Sequence, residues 1–311
     1  MPRTRIGGAL AAALTLSLAL TACGANKDPL STGNGGGSSS APGTVTIGSA
    51  NFAESELLAE IYAQALEAKG VKVKRQFNIG ARELYLKALQ DASIDLLPEY
   101  NGALLSALAK GGAPAAVSKP DDVLAALKKV LPAGTEVLDQ SAAEDKDTLT
   151  VTQATATKYH LKSIADLAPV AGKLSIGAGP EWRERYQGLK GLKSVYGVEF
   201  KTFRPLDAGG PLTLNALLKG QIDVGNIFST DSAITTNKLV VLDDPKNFYL
   251  AENVLPLIRG QADNPTVSGA LNAVSAKLTT ENLTTSLAKV QVDKQDSATV
   301  AKAFLTSNGL S

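Results

Sequence analysis

The sequence predicts an α/β protein of two similar lobes, each a mostly parallel sheet flanked by helices. Three observations carry that prediction. Residues 88–100 (ALQDASIDLLPEY) and 216–228 (ALLKGQIDVGNIF) repeat one pattern 128 positions apart. Each reads as a helix end, a tight turn, a short Ile-Asp strand and a loop that delivers an aromatic, Tyr100 or Phe228. A matching pair of strand starts lies upstream, in 44–52 (TVTIGSANF) and 173–181 (KLSIGAGPE): Ile47 precedes Ile94 by 47 residues and Ile176 precedes Ile222 by 46. Around both copies the pattern alternates strand and helix, which favours parallel strands covered by helices. A repeated half-module sets corresponding loops facing each other across a cleft, a geometry for binding more than for catalysis.

The elements follow in order. Val45–Ile47 is a short buried strand. Asn51 is placed to cap the next helix, with Glu54 in a capping-box position. Leu57, Leu58, Ile61, Tyr62, Ala65 and Leu66 form its apolar stripe and Gly70 its stop. Residues 71–77 alternate as a half-buried strand, 82–90 form a helix, and 94–97 the next strand. A loop at 109–120, a helix at 121–130 and a strand at 135–138 complete the first module. The β-prone run 148–152 leads into the second, with a helix near 163–167. Strand 173–176, helix 181–190, strand 198–203, helix 211–219 and strand 222–224 follow. After β runs at 239–242 and 253–259, the chain is helical over 265–277, 280–289 and 296–307. These last helices have no sheet of their own, so they are expected to pack back on the first lobe. The chain would then cross between lobes twice, a hinge that permits closure by rotation.

The N-terminus reads as targeting rather than fold. Arg3 and Arg5 precede an apolar run from Ile6 to Leu20, too short to span a membrane. It ends Leu20-Thr21-Ala22-Cys23-Gly24, which resembles a bacterial lipobox, and Cys23 is the only cysteine. A lipid on Cys23 would anchor the protein to a membrane without crossing it. Residues 24–43 are Gly/Ser-rich and suit a flexible tether. The expected organisation is a signal peptide at 1–22 and a lipidated Cys with linker at 23–43. The first lobe takes 44–148 plus 255–311 and the second 149–254. Loss of residues 1–22 leaves 29 Lys+Arg against 30 Asp+Glu, a neutrality that argues against nucleic acid as a partner.

Ligands of open α/β sheets bind beyond the carboxyl ends of the strands. Four loops leave such ends here: 48–52, 97–103, 177–185 and 225–231. They supply Ser49, Asn51, Glu99, Tyr100, Asn101, Glu181, Trp182, Arg185, Asn226, Phe228, Ser229 and Asp231, with Gly48, Gly177, Gly179 and Gly225 allowing close approach. Each has a plainer reading. Tyr100, Phe228 and Trp182 also suit packing, and Arg185 also suits an i,i+4 pair with Glu181. Asp95 and Asp223 suit turn fixing, and His160, the only histidine, a surface position. The sequence holds no HExxH, GxSxG or P-loop, and one His with one Cys leaves no material for the usual triads or most zinc sites. An enzyme is therefore disfavoured, and neither cofactor nor metal is expected.

GSANFAESELLAEIYAQALEAKG, IDLLPEYNG, LTVTQATATKYHLKSIADL, GPEWRERYQGLKGLKSVYG and IFSTDSAI together resemble, in order, blocks of the glycine betaine/choline/osmoprotectant ABC-transporter substrate-binding proteins of the OpuC/ProX type. The likeness runs from about residue 44 to 310. It implies a type II periplasmic-binding-protein fold and delivery of a small solute to a permease and its ATPase by a monomer. That family holds a quaternary ammonium in a box of tyrosines by cation–π attraction, with an arginine for the ligand's carboxylate. Carried over, these are Tyr100 and Arg185. The other cage positions depart: one falls at Asp147, one at Phe228, and one near Glu252, with Phe248 and Tyr249 beside it. The lysine of the family's first block is Ala50 here. These departures leave two ligand classes open, a quaternary amine or a polyol, sugar-like or aromatic solute.

Overall fold

The computed structural model describes residues 43–110, 112 and 117–311. The signal peptide, Cys23 and the linker to residue 42 lie outside the described residues, as does part of the loop at 109–120. Among the described residues no helix is long and apolar enough to cross a membrane.

The chain runs β1 (Thr44–Gly48), α1 (Ala53–Glu67), β2 (Lys72–Gln76), α2 (Arg82–Gln90), β3 (Leu96–Tyr100), α3 (Asn101–Leu108), α4 (Pro120–Leu127) and β4 (Thr135–Val137). It continues with β5 (Asp147–Val151), α5 (Gln153–Tyr159), β6 (Ser175–Ala178), β7 (Thr202–Pro205), α6 (Pro211–Leu218), β8 (Val224–Phe228), α7 (Ala233–Thr236) and β9 (Val240–Val241). It ends with β10 (Val254–Arg259), α8 (Pro265–Ser275), α9 (Thr280–Gln291) and α10 (Ser297–Ser307). Two five-stranded sheets result, ordered β2-β1-β3-β10-β4 and β7-β6-β8-β5-β9. In each, one strand runs against the rest: β10 is antiparallel to β3 and β4, and β5 to β8 and β9. Each is the first strand after a crossing: β5 enters the second sheet and β10 returns to the first. Glu144 and Asn253 form a β-bridge between the crossing segments.

The repeat has a packing cause. A Cβ on Gly48 would sit 2.7 Å from Ile94 Cδ1, and one on Gly177 2.6 Å from Ile222 Cδ1. Each Ile-Gly thus makes room for the isoleucine of the next module, which is buried; these two glycines serve packing and not the approach of a ligand. The aspartates work the same way. Asp95 Oδ2 accepts from Thr46 N at 2.9 Å, and Asp223 Oδ2 from Ser175 N at 2.8 Å. These side chains reinforce the backbone bonds from Asp95 N to Thr46 O at 2.7 Å and from Asp223 N to Ser175 O at 3.1 Å. β3 and β8 begin just after, at Leu96 and Val224, two residues later than the pattern suggests, and run on to the aromatic. Pro98 argues against a central strand, but it faces Pro256 in register, so the two residues without an N–H are matched.

α1, α8, α9 and α10 cover one face of the first sheet, with Leu57, Ile61, Leu271, Leu283 and Phe304 in one cluster. α2, α3 and α4 cover the other, through Tyr85, Leu104 and Val123. The second sheet is sandwiched by α5 with the segment 161–196 on one side and α6 with Ile234 of α7 on the other. Burying a large aliphatic side chain contributes about 1.5–3 kcal/mol, and these clusters are the main support of both lobes.

Four local expectations fail or shift. The strand expected over 198–203 lies instead at Thr202–Pro205. Asn51 does not cap α1; Phe52 is the cap residue, and Ser55 Oγ accepts from Ala50 N at 2.9 Å instead. The helix expected over 181–190 is a 3-10 turn at Pro180–Arg183 and two wide turns at Tyr186–Lys190 and Leu192–Tyr196. Gly188 breaks it, because the chain doubles back there against the Trp182 carbonyl, where a Cβ would overlap. α3 begins directly after Tyr100 in what reads as a loop, since most of its side chains are buried and no polar face marks its period.

Candidate ligand-binding cleft between the lobes

The carboxyl ends of β1, β3, β6 and β8 point at one another across a cleft of about 600 Å³, counted out to solvent. The first lobe contributes Phe52 from the loop after β1, Tyr100 from β3, and Arg82 and Tyr85 from the first turns of α2. The second contributes Gly179, Glu181, Trp182 and Arg185 after β6, with Asn226 and Phe228 from β8. The crossing segments add Asp145, Asp147 and Glu252.

Aromatic rings line one side. Phe52 stacks on Tyr100 with centroids 6.3 Å apart and tilts against Phe228 at 5.1 Å, joining the lobes through a ring contact. Trp182 is buried, and its indole N–H has no hydrogen-bond partner among the described residues.

Both cleft arginines are committed to acids. Arg82 meets the fully buried Glu99 through Nε at 2.8 Å and its second nitrogen at 3.1 Å. Glu99 also accepts from the Tyr85 hydroxyl at 2.7 Å and from Tyr100 N at 2.8 Å. Arg185 forks onto Glu83 of the first lobe with two bonds of 2.9 Å, which closes a clasp across the cleft mouth. Its i,i+4 contact with Glu181 is only 3.8 Å.

The remaining carboxyls are crowded. Glu54 accepts from the Tyr100 hydroxyl at 2.7 Å and from Thr230 Oγ1 of the second lobe at 2.6 Å. Asp145 accepts from Thr230 N at 3.0 Å and Ser229 Oγ at 3.1 Å. Asp147 accepts from Asn226 Nδ2 at 2.8 Å, and Glu252 from Gln187 Nε2 at 2.6 Å. Burial pushes all four carboxyls above their ordinary range. Asp145 is raised further by Glu54, and Glu252 by Asp147. Two further arrangements were not legible in the sequence: Glu54 as a junction between the lobes, and the Arg82–Glu99–Tyr85 cluster. For Asp145 the signal existed, two positions before Asp147 on the same crossing.

Of the residues nominated from sequence, the structure brings Asn51, Tyr100, Asp147, Glu181, Arg185, Phe228 and Glu252 to this cleft. Asn101 sits apart from it. It is fully buried at the crossing, where its side-chain oxygen accepts from Asn253 N at 2.8 Å and its amide donates to Gln140. Asp231 lies beyond the Phe52–Phe228 contact, in a second cavity shared with the C-terminal end of α9, and accepts from Ala233 N at 2.8 Å. No group of three or more His, Cys, Asp or Glu suited to a metal ion occurs among the described residues.

Comparison with known proteins agrees with this geometry. Residues 43–307 match the model of the OpuAC family, the substrate binding domain of the ABC-type glycine betaine transport system. A carnitine transport binding protein, OpuCC, of Listeria monocytogenes is 28% identical over 95% of this chain and 94% of its own length. A glycine-betaine-binding protein of Pseudomonas aeruginosa is 25% identical over 86% of this chain and 88% of its own. The crystal structure of a glycine betaine/carnitine/choline ABC transporter superposes with a TM-score of 0.65, covering 86% of this chain and 99% of that one at 25% identity. Two α/β lobes joined by two crossings, a ring-lined cleft between them, and a family match across nearly the whole described chain lead to one conclusion: this protein belongs to the OpuAC family of ABC-transporter substrate-binding proteins.

Proposed function

We propose that the inter-lobe cleft captures an osmoprotectant-like quaternary amine, of the glycine betaine or choline class, and that the closed form hands it to an ABC permease and ATPase. The protein works as a monomer at the outer face of the membrane, anchored by a lipid on Cys23. The observation that carries the ligand reading is the joint presence of ring faces at Phe52, Tyr100, Phe228 and Trp182 and of four cleft-lining acids, Asp145, Asp147, Glu181 and Glu252. Rings replace water around a trimethylammonium that donates no ordinary N–H bond, and the acids balance its charge. The Glu83–Arg185 clasp and the Glu54–Thr230 bond join the lobes and favour the closed state.

A polyol, sugar-like or aromatic solute is the second reading, favoured by the polar atoms of Asn226, Gln187 and Trp182 around Asp147 and Glu252. One thermal-shift panel separates the two. A ligand at 100 times its dissociation constant adds about 2.7 kcal/mol. Stabilisation by glycine betaine, choline or carnitine, weakened in Tyr100→Ala, supports the first reading; no shift with any amine, against a shift with a polyol, replaces it by the second. For the anchor, radiolabelled palmitate incorporated in the wild type and lost in Cys23→Ala is the expected result.

A further inference from the structure

The acids of the cleft are not spread evenly. Asp147 opens β5 and Glu252 immediately precedes Asn253 and β10, so they stand on the two strands by which the chain passes between lobes. They are close: Asp145 N donates to the Glu252 carbonyl at 3.1 Å, both acids line the cleft, and the charge of Asp147 raises Glu252. Both line the cleft together with Glu181. The charges that face them from other elements are Arg82 on α2 and Arg185 after β6. Neither arginine is free to neutralise them fully, since Arg82 is forked onto Glu99 and Arg185 onto Glu83. Tyr249, whose buried hydroxyl has no partner among the described residues, is also within reach of their field.

Two consequences follow for a ligand. First, a carboxylate offers about four acceptor positions. Asn226 fills one on Asp147, and Gln187 fills one on Glu252. A trimethylammonium brings charge to this pair but no hydrogen, and would seal its remaining lone pairs in a dry cleft, at the cost of unmade hydrogen bonds. Second, a ligand carboxylate finds each cleft guanidinium already shared with an acid, Arg185 with Glu83 and Arg82 with Glu99, and lies among four more acids.

We propose that Asp147 and Glu252 form a paired acceptor subsite that selects a cationic amine carrying its own N–H or O–H donors, in preference to a donor-free quaternary amine or a zwitterion. The proposal rests on the cation-binding reading above and sharpens it. Rings of Phe52, Tyr100 and Phe228 take the apolar part of the cation, while the acid pair takes its donors. Because the pair sits on the crossing strands, the same contacts relieve like-charge crowding at the hinge, which couples occupancy to closure.

The test is calorimetric titration of the purified chain with matched cations. Choline is compared with its methyl ether, which differs by one O–H, and with protonated dimethylethanolamine, which adds one N–H. Glycine betaine is the zwitterion. Each donor is expected to tighten binding about tenfold or more, the scale of a hydrogen bond to a charged acceptor, and glycine betaine is expected to bind more weakly than choline. In Asp147→Asn and Glu252→Gln, shown folded by their melting transitions, the preference should shrink to below about threefold. If a variant fails to fold, the wild-type series still decides. Equal affinity for choline and its methyl ether overturns the acid-pair proposal and leaves amine transport standing. Absence of binding by every amine overturns both.

Discussion

Arg82 lines the cleft, yet its partner is Glu99, and replacing it tests whether its charge is structural. Glu99 has no exposure and holds four bonds: two from Arg82 at 2.8 and 3.1 Å, one from Tyr85 at 2.7 Å and one from Tyr100 N at 2.8 Å. Arg82→Met removes both charge-assisted bonds and strands a buried carboxylate with two neutral donors. Breaking a buried pair this way costs about 3–5 kcal/mol. At roughly 2–4 °C per kcal/mol for a chain of this size, the melting temperature should fall by about 6–20 °C. Asp147 and Glu252 also lose the field of Arg82, which adds to the loss. Adding Glu99→Gln removes the stranded charge while keeping an acceptor for Tyr85. The double variant should therefore be more stable than Arg82→Met by about 1–3 kcal/mol, a coupling typical of residues in contact. Urea and thermal unfolding of wild type, both single variants and the double close the cycle. A double variant less stable than Arg82→Met, with losses that simply add, would refute the assignment of Arg82 to Glu99.

Three further outcomes are expected. Burial raises Glu54, Asp145, Asp147 and Glu252 above their ordinary values of 4.5 or 3.8, so the folded chain holds protons that the unfolded chain has released. That stability is present below the ordinary carboxyl range and lost as pH rises through the raised values, so the unliganded protein should melt higher at about pH 5.5 than at about pH 8. Glu67 and Glu83, lowered by Arg75 and Arg185, act in the opposite sense but only below the ordinary carboxyl range, outside this window; a melting temperature that climbs from about pH 5.5 to about pH 8 would refute the raised direction of the four buried carboxyls. Phe52→Ala removes an inter-lobe ring pair worth about 0.5–1.5 kcal/mol beyond its burial, and should weaken ligand binding several-fold with little change in secondary structure by circular dichroism. Gly102→Ala drives a Cβ into the Ala251 carbonyl oxygen and to 2.9 Å from Leu250 Cβ, and should cost about 1–3 kcal/mol in chemical denaturation.

The lobes were legible because the Ile-Gly and Ile-Asp repeats are structural. Gly48 and Gly177 clear space for Ile94 and Ile222, and Asp95 and Asp223 bind the neighbouring strand, so packing wrote the same letters twice. Tyr100 and Phe228 were legible for the same reason, since each ends the repeated strand. What stayed hidden depends on pairs distant in sequence. Arg185 reads locally as a partner of Glu181, but its better partner is Glu83, 102 positions away. Glu54 reads as a capping residue, and only tertiary structure brings Thr230 to it across 176 positions. Asn101 looked like a binding residue because it adjoins Tyr100, whereas α3 starts there and turns it to the crossing. The broken helix at 181–190 hid behind a helical pattern because Gly188 answers to Trp182 and not to its sequence neighbours in a regular turn.

The antiparallel strands β5 and β10 also order the assembly of the chain. The first sheet has β10 between β3 and β4, so β4 has no strand to join until Val254–Arg259 has been made. α1 likewise waits for α8 and α10 to cover it. The second sheet draws all five strands from 147–241 and needs nothing later to complete its ladder. As the polypeptide emerges from its N-terminus, the segment begun first is therefore finished last. Only β4 and the covered face of α1 must wait, since β1, β2 and β3 can pair with one another before the middle of the molecule folds.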